Sequence, residues 1–333
     1  MAGTTLGFAE AMTSPCSTCA GTFCCTHLPV HSFRVGSLAD LDYVRYLLNF
    51  ANIVVGLAPS GDWSVFYTAP CTHLEQTSGD CGVHGTAEQP HICAVYNPYT
   101  CWYKGAFSTD ANDRLLRVDR RRWDHLVSGT RFDGDRRIVE SRSWQELAAD
   151  FAALPLVDGS EARGGGLAVN LSRSSRLRLQ ADPVPVPSGQ ETSVFPPSPC
   201  QGCAAPCCTN LVFPYPVPNN ASHLDFLKFA LGFPGVQVIV TADEWAVTVT
   251  SRCRHLDGTL CGVFGTDERP LRCKYYDEWK CTVKDRLGQQ PPEGVVVMGA
   301  PEFSAVVSQF QLDSEGLICD GPSLAEMRRP PGR

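Results

Sequence analysis

The sequence predicts an α+β fold, in which a small metal-stabilised domain with a helix, a β-hairpin and long cysteine-bearing loops occurs as a tandem duplication. Three observations lead to this prediction. Most of the chain aligns with itself, helical and strand-like hydrophobic patterns follow each other in both copies, and sixteen of the 17 cysteines occupy matched positions. Each copy is therefore expected to fold around its cysteines.

The repeat is clearest around the later cysteines of each copy. The segment CTHLEQTSGDCGVHGTAEQPHICAVYNPYTCWYK (71–104) aligns with CRHLDGTLCGVFGTDERPLRCKYYDEWKCTVK (253–284). Both contain Cys-x-His-Leu, then Cys-Gly-Val-x-Gly-Thr-x-Glu-x-Pro, then Cys-x-x-Tyr and Cys-x-x-Lys. The alignment continues upstream, where Asp42 pairs with Asp225, so the repeat covers a domain rather than a short motif.

The repeat divides the chain into two predicted domains and a connection. The first cysteine-cluster domain covers residues 1–155, and the second covers residues 200–333. Residues 156–199 are rich in Gly, Ser and Pro and have little sustained periodicity, which is typical of a flexible, partly extended linker.

The predicted secondary structure follows the same order in both copies. Residues 38–50 (LADLDYVRYLLNF) and 221–233 (ASHLDFLKFALGF) have helical spacing, and Ser37 can cap the first of these helices. Two alternating β-branched runs come next in each copy and predict a hairpin, as in VQVIVTADEWAVTVTSRC. Helix-forming segments then end the two copies, at residues 143–154 and 323–329.

The charge and hydropathy of the chain argue against several classes of function. The formal net charge is -7, which disfavours nucleic acid as a partner because phosphate binding needs clustered Lys and Arg. No apolar run approaches the roughly 18 residues that span a bilayer, so we expect no membrane partner. The amino terminus lacks the basic and apolar regions of a secretory signal, which predicts a cytoplasmic protein whose thiols stay reduced.

Eight cysteines in each copy are the predicted metal ligands. The first cysteine set is Cys16, Cys19, Cys24, Cys25, Cys71, Cys81, Cys93 and Cys101. The second cysteine set is Cys200, Cys203, Cys207, Cys208, Cys253, Cys261, Cys273 and Cys281. The remaining cysteine, Cys319, is predicted to be a buried small hydrophobe.

The spacing of the cysteines indicates the kind of metal site. A Cys-x2-Cys step lets two thiolates reach one metal from a tight turn, as in tetrahedral zinc and iron–sulfur sites. A Cys-Cys pair suits two metals or one bridging thiolate better than a single ion. Eight thiols per copy therefore allow two four-thiolate sites or one multinuclear cluster. We predict zinc as the cofactor, with iron or an iron–sulfur cluster as the alternative.

The residues around these cysteines also carry a family resemblance. CSTCAGTFCC, CQGCAAPCC, CRHL and ERPLRCKYY resemble the YkgJ-type cysteine-cluster proteins, which are zinc- or iron-chelating domains. The second copy fits the family pattern better, because it keeps Arg269 where the first copy has Gln89. Both copies depart from it by a longer spacing before the double cysteine and by Gly-Thr where the family has Ile-Tyr. The resemblance implies metal chelation, and similar clusters in proteins resembling flagellin lysine methylases leave a protein-modifying role open.

Two further pairs of matched residues lie beside the cysteines. His73 and His255 each follow a cysteine by two positions. We expect them to support a thiolate through a hydrogen bond, with direct ligation as the alternative. Glu88 and Glu268 are expected to stabilise the Gly-Thr-x-Glu-x-Pro turn, with a role as general base as the alternative.

Charge distinguishes the two copies. Acidic residues predominate over 71–104, whereas Lys and Arg slightly outnumber Asp and Glu over 253–284. Thiolate–metal clusters are usually anionic, so the second set is predicted to hold metal more tightly, or to have a higher redox potential if the metal centre is iron–sulfur. The one basic run, RLLRVDRRRW (114–123), is predicted to be a solvated helix face that the second copy lacks, with contact to an acidic partner as the alternative.

The predicted function is metal binding by both cysteine sets, in a structural, binding or accessory role. Metal ions are the expected partners, together with a protein or peptide. No catalytic residue is predicted, because the sequence lacks a Gly-rich phosphate loop, a Ser/His/Asp set and paired carboxylates. The alternative is an iron–sulfur or non-haem-iron enzyme, either an oxidoreductase or an accessory of protein or peptide modification.

Overall fold

The computed structural model describes residues 7–19, 21–75, 77–110, 112–157, 203–277, 280–287 and 291–328. We refer to the described residues up to 157 as the first half and to those from 203 onwards as the second half. The predicted linker, 156–199, lies outside the described residues except for its first two positions, and so does Cys200.

The first half alternates short helices and strands. Its helices and strands are α1 (Phe8–Ala11), β1 (His27–Arg34), α2 (Leu38–Leu47), β2 (Ile53–Leu57), β3 (Asp62–Thr68), α3 (His91–Ala94), α4 (Trp102–Phe107), β4 (Leu116–Val118), α5 (Arg120–Ser128), β5 (Arg131–Phe132), β6 (Ile138–Glu140) and α6 (Trp144–Ala152). Short 3-10 turns occur at Pro15–Thr18, Phe23–Cys25 and Pro98–Thr100.

The second half presents its elements in a closely similar order. They are a 3-10 turn (Pro206–Cys208), β7 (Asn210–Tyr215), α7 (Ala221–Leu231), β8 (Val236–Val240), β9 (Trp245–Thr250), β10 (Leu256–Asp257), β11 (Leu260–Cys261), α8 (Leu271–Lys274), α9 (Thr282–Arg286), β12 (Val296–Met298), α10 (Ala300–Val307), β13 (Gln311–Leu312), β14 (Ile318–Asp320) and α11 (Leu324–Met327).

Each half is built around a four-stranded antiparallel sheet. The strand order is β1-β3-β2-β4 in the first half and β7-β9-β8-β12 in the second. In both sheets the hairpin lies in the centre, and the strand that follows the cysteine-bearing loops forms one edge. Helices and antiparallel sheets thus occur together in each half, which confirms the α+β prediction.

The predicted hairpins are confirmed, and their registers agree with the hydrophobic alternation. In the first hairpin Val55 lies opposite Val65, and both side chains are fully buried. In the second, Val238 lies opposite Val247, again in the core. Between β2 and β3 the chain turns at Gly61, whose φ of 82° is a conformation that glycine adopts readily.

Helix α2 begins where the sequence predicts and ends earlier. The Ser37 hydroxyl accepts the N–H of Asp40, and the Asp40 carboxylate accepts the N–H of Ser37, which makes a capping box. Regular helix stops at Leu47 rather than at residue 50. The residues that follow, Asn49 and Phe50, turn away from the helix and contact the second half.

The two halves share one core and are joined by main-chain hydrogen bonds. Most buried hydrophobic side chains belong to one cluster that contains residues of both halves, and a smaller second cluster lies in the first half. The N–H of Ala51 donates to the carbonyl of Arg252 over 3.0 Å, and Phe50 forms an antiparallel bridge with Cys253. The Tyr67 hydroxyl donates to the carbonyl of Pro234 over 2.9 Å. The halves therefore pack directly against each other.

The basic run at 114–123 is not a solvated helix face. Part of it forms the edge strand β4 and the start of α5, and β12 and α10 occupy the same places in the second half. Arg122 is only 2% exposed, and Trp123 is buried beside it. The prediction is wrong because a charged side chain can be buried when its hydrogen bonds are satisfied. The guanidinium of Arg122 is buried because three backbone carbonyls accept its hydrogen bonds.

Cys319 also differs from the prediction. Its side chain is exposed, and its thiol donates to the carbonyl of Gln311 over 3.3 Å across the β13–β14 ribbon. Cys319 therefore does not act as a buried hydrophobe.

Candidate functional site

The double cysteine of each half lies in a 3-10 turn that leads into the first strand of the sheet. Phe23–Cys25 follows Thr22, which has a φ of 40°, and Pro206–Cys208 follows Ala205, which has a φ of 53°. These left-handed residues are uncommon outside glycine and occur at the same place in both halves. The backbone therefore turns sharply just before each pair of thiols.

The end of the hairpin returns to the double cysteine. The N–H of Cys71 donates to the carbonyl of Cys25 over 2.7 Å, and the N–H of Cys253 donates to the carbonyl of Cys208 over 2.7 Å. These bonds bring the opening turn of each half against the first residue of the long loop. Cysteines distant in the sequence thus become neighbours.

The loop then folds back on itself. Leu74 forms a bridge with Cys81, and the N–H of Gly82 donates to the carbonyl of His73 over 2.7 Å. In the second half, the N–H of Gly262 donates to the carbonyl of His255 over 2.8 Å. This fold places the second cysteine of the loop beside the first in each half.

The third and fourth cysteines of each loop lie on or beside short helices. Cys93 and Cys273 lie within α3 and α8. Cys101 caps α4, and its sulfur accepts the N–H of Lys104 over 3.4 Å. Cys281 caps α9 and accepts the N–H of Lys284 over the same distance.

A tyrosine hydroxyl also donates to each of these capping cysteines. The hydroxyl of Tyr96 lies 3.5 Å from the sulfur of Cys101, and that of Tyr276 lies 3.1 Å from the sulfur of Cys281. Burial, followed by the contact with Cys101, raises the pKa of Tyr96 to about 12. The tyrosines therefore remain protonated donors at neutral pH.

The Cys-x2-Cys step at the start of the chain forms the tight turn that its spacing predicts. The N–H of Cys19 donates to the carbonyl of Cys16 over 3.1 Å within the Pro15–Thr18 turn. This turn packs against Pro98–Thr100, near the end of the long loop. In the second half only Cys203 of the corresponding pair lies among the described residues, where it is half-buried.

Electrostatic interactions connect the thiols of the first set. Burial, followed by the neighbouring thiolates of Cys24, Cys71 and Cys81, raises the pKa of Cys93 to about 12. Burial also raises the pKa of Cys16, with smaller contributions from Cys24, Cys101 and Cys19. Each member of the first set therefore lies within electrostatic range of other members.

The second set shows the same interactions with one difference. Burial raises the pKa of Cys273 to about 11, and Cys253, Cys261 and Cys207 add to the effect. The guanidinium of Arg269 acts in the opposite direction on this pKa. The second set therefore has a cation beside it at the position where the first half has Gln89.

Each double cysteine contains one thiol that loses its proton easily. The sulfurs of Cys24 and Cys25 are 3.9 Å apart. The hydrogen bond between them lowers the pKa of Cys24 to about 7 and raises that of Cys25. Cys208 lowers the pKa of Cys207 to about 7 in the same way. A thiolate is the form of cysteine that binds metal and reacts as a nucleophile.

The described thiols gather without forming a complete ligand shell. Each cysteine that the structure describes is a free thiol. Within the same residues, no group of three or more Cys, His, Asp or Glu side chains is arranged so that it could hold a metal ion. The zinc and iron predictions therefore remain predictions.

The two histidines expected to support thiolates face the opposite half. Nε2 of His255 lies 3.3 Å from Oδ1 of Asn49. His73 and Cys71 lie beside Gly232, where an added Cβ would be 3.3 Å from the sulfur of Cys71. Asn49 and Gly232 were not singled out from the sequence. Their equivalent places at the ends of α2 and α7 are the signal that could have identified them.

Glu88 and Glu268 lie where the turn was predicted. Both residues are exposed. The turn before Glu88 is closed by the hydroxyl of Thr86, which donates to the carbonyl of Val83 over 2.9 Å and accepts the N–H of Glu88. Thr266 makes the corresponding bond to Val263 in the second half. The threonine, rather than the glutamate side chain, makes these turn bonds.

Two aspartates that the sequence alignment pairs hold the opposite half. The carboxylate of Asp42 accepts the N–H of Leu271, at the start of α8. The carboxylate of Asp225 accepts the N–H groups of His91 and Ile92, at the start of α3, over 2.8 and 2.6 Å. Each of these helices carries a cysteine of its own half, Cys93 or Cys273, and is held by an aspartate of the opposite half.

Comparison of the chain with family models, with curated proteins and with solved structures found no match.

Proposed function

We propose that the chain is a metal-binding protein in which the first and second cysteine sets each chelate zinc, or alternatively iron. The observation that carries the proposal is the meeting of distant cysteines in both halves. The hydrogen bonds from Cys71 to Cys25 and from Cys253 to Cys208 have the same length and the same place in the fold. Sulfur-rich surroundings of this kind favour zinc and iron–sulfur centres over magnesium or calcium.

A tandem duplication is part of the proposal. The shared strand order and the matched left-handed residues before each double cysteine support it. Two copies of one metal-stabilised domain would explain why nearly every cysteine of one half has a counterpart at the matching position of the other half. The domain boundaries at 155 and 200 follow from the same alignment.

The donor chemistry fits the proposed metals, while the described side chains form no ready ligand shell. Neighbouring thiols of the first set, Cys24, Cys71 and Cys81, contribute to the raised pKa values of Cys25 and Cys93. These cysteines would hold the metal together with Cys16, Cys19 and Cys101. A bound metal would supply a positive centre that keeps these thiols deprotonated and orders loops with little core of their own.

The chain's own residues prepare the thiols for this role. Backbone N–H groups and tyrosine hydroxyls donate to the sulfurs of Cys101 and Cys281, which orients these two side chains. Cys71 and Cys253 pack against the hydrophobic core, which limits their contact with water. Arg269 adds positive charge beside the second set.

A reducing compartment suits these thiols. The many free cysteines support the expectation of a cytoplasmic protein, because thiols persist there. None of the helices in the described residues is long and apolar enough to cross a membrane. A structural, binding or accessory role toward a protein or peptide, with no nucleic acid, completes the proposal.

The decisive experiment is elemental analysis and a UV–visible spectrum of protein purified without oxygen. Zinc at about four per chain without absorbance near 400 nm is the expected result, since each set can form two four-thiolate sites. Iron and sulfide with absorbance there would instead favour the iron–sulfur alternative, including an enzyme. Absence of metal, with all thiols reacting at once in the folded protein, would contradict the proposal.

A matched pair of variants identifies the ligands. The double substitution of Cys24 and Cys25 by Ser should remove the metal of the first set. Cys319→Ser should leave the metal content unchanged, because Cys319 lies on the β13–β14 ribbon. Equal loss in both variants would mean that the metal is not held by the proposed residues.

A further inference from the structure

The two halves hold each other through reciprocal carboxylates. Asp42 on α2 accepts an N–H at the start of α8, and Asp225 on α7 accepts two at the start of α3. Asp42 is only 5% exposed. A carboxylate that accepts unpaired N–H groups at a helix start stabilises that start. The short helices α3 and α8 are therefore fixed from outside their own half.

Basic side chains on the same two helices repeat this reciprocity. The guanidinium of Arg45 donates to the carbonyl of Asp267 over 3.1 Å. The ammonium of Lys228 donates to the carbonyl of Ala87 over 3.4 Å. Both acceptors lie just before the helices that the aspartates hold, so each segment is attached at neighbouring points.

A third pair of contacts attaches the other end of each loop. The N–H of Arg254 donates to the carbonyl of Asn49, and the N–H of Thr72 donates to the carbonyl of Gly232, both over 2.8 Å. Arg254 and Thr72 each directly follow the first cysteine of their loop. Every loop is thus fastened to the opposite half near its first and its third cysteine.

We propose that Asp42 and Asp225 are positioning residues that act across the interface, so that each half holds the cysteine set of the other and the two sets bind metal as a coupled pair. Asp225 positions Cys93 of the first set, and Asp42 positions Cys273 of the second. The coupling rests on the proposed function, whereas the positioning does not. By linkage, an interface that favours metal in one set is itself favoured when that set is filled.

The first test measures positioning in the metal-free full-length chain. Asp225→Ala should speed amide hydrogen exchange of the peptide containing His91 and Ile92 by about tenfold, the effect of losing one helix cap. The peptide containing Leu271 should keep its rate. Asp42→Ala should do the reverse. Faster exchange in the aspartate's own half only, or no change, would overturn the proposal.

The second test uses zinc alone as the probe. The double cysteine of one set is replaced by Ser, so that zinc competition with a chelator reports on the other set; coupling predicts that this set binds zinc more weakly than it does in the parent, where both sets are filled. Asp225→Ala should weaken zinc binding by the first set by about tenfold and leave the second nearly unchanged. Asp225→Asn, which keeps one acceptor and the same shape, should recover part of the loss. A general loss of stability would weaken both sets equally and would refute the proposal.

A control variant and the parent protein separate the possible failures. Glu146 makes a similar capping contact, accepting the N–H of Ser143 over 2.7 Å, but entirely within the first half. Glu146→Ala should affect neither set. If the parent chain binds no metal, the proposed function fails. If the parent binds metal and Asp225→Ala acts only on the second set, the positioning across the interface fails.

Discussion

Replacement of Arg122 by Met should cost the protein much of its stability. The guanidinium is almost completely buried and donates to three carbonyls: Leu154 over 2.7 Å, Arg117 over 2.8 Å and Phe151 over 3.0 Å. It also lies 3.7 Å from the carboxylate of Asp110. One side chain thus joins β4, α5 and the segment that ends α6.

The size of the loss follows from these contacts. A hydrogen bond to a charged group contributes about 1.5–3 kcal/mol, and breaking a buried charged set costs about 3–5 kcal/mol. Methionine fills a similar length but leaves the three carbonyls without their donors. Removing the buried charge also removes its desolvation cost, which offsets part of the loss. We therefore expect the free energy of unfolding to fall by about 3 kcal/mol.

Urea denaturation followed by circular dichroism measures this change. Arg121→Met is the matched control, because Arg121 is the exposed neighbour on the same helix. That variant should stay within about 0.5 kcal/mol of the parent. A loss below about 1 kcal/mol for Arg122→Met, or equal losses in both variants, would refute the assignment of Arg122 to the folded interior.

Three further predictions follow from the sites described above. Arg269→Gln should weaken zinc binding by the second set about fivefold, because a partly exposed charge contributes about 1 kcal/mol. Gln89→Arg should strengthen zinc binding by the first set. Chelator titrations that are the same for the variants and the parent would contradict this prediction. A chelator should release metal from the parent in two phases, the first set before the second, and lower its melting temperature; a single phase would count against the charge argument. Gly56→Ala should lower the free energy of unfolding by about 1–3 kcal/mol, because the added Cβ would lie 2.5 Å from the buried Leu115 side chain. Gly36→Ala should leave the stability unchanged, because no atom lies within 4 Å of its added Cβ. Equal melting temperatures of the Gly56→Ala and Gly36→Ala variants would argue against crowding at Gly56.

The elements that depend on local pattern could be predicted. The α2 helix and the two hairpins follow directly from hydrophobic spacing, and Ser37 marks the start of the helix. The edge strands β4 and β12 could not, because three residues carry too little periodicity. The burial of Arg122 could not be predicted for a related reason, because it depends on carbonyls as far along the chain as that of Leu154.

The candidate site was partly visible in the sequence. The repeat identified the sixteen cysteines as a group, and several cysteines of the long loops lie near the double cysteine of their own half: Cys71 and Cys81 near Cys25, and Cys253 and Cys273 near Cys208. The contacts between halves were not foreseen. Asp42 and Asp225 stood out as aligned residues, but alignment gives no information about which half a side chain touches. Contacts such as that from Leu271 to Asp42 join residues too distant for any local pattern to reveal.

The reciprocal interface has a consequence for assembly. In a dimer of two identical subunits, the same contacts would be lost on dilution. Each contact would also occur twice with identical residues, because both subunits have the same sequence. Here one polypeptide carries both ends of the interface, so docking is a unimolecular event whose strength does not depend on protein concentration. The two ends can also differ, as Asn49 and Gly232 do beside His255 and Cys71. A single chain can thereby present two unlike environments that a symmetric dimer could not.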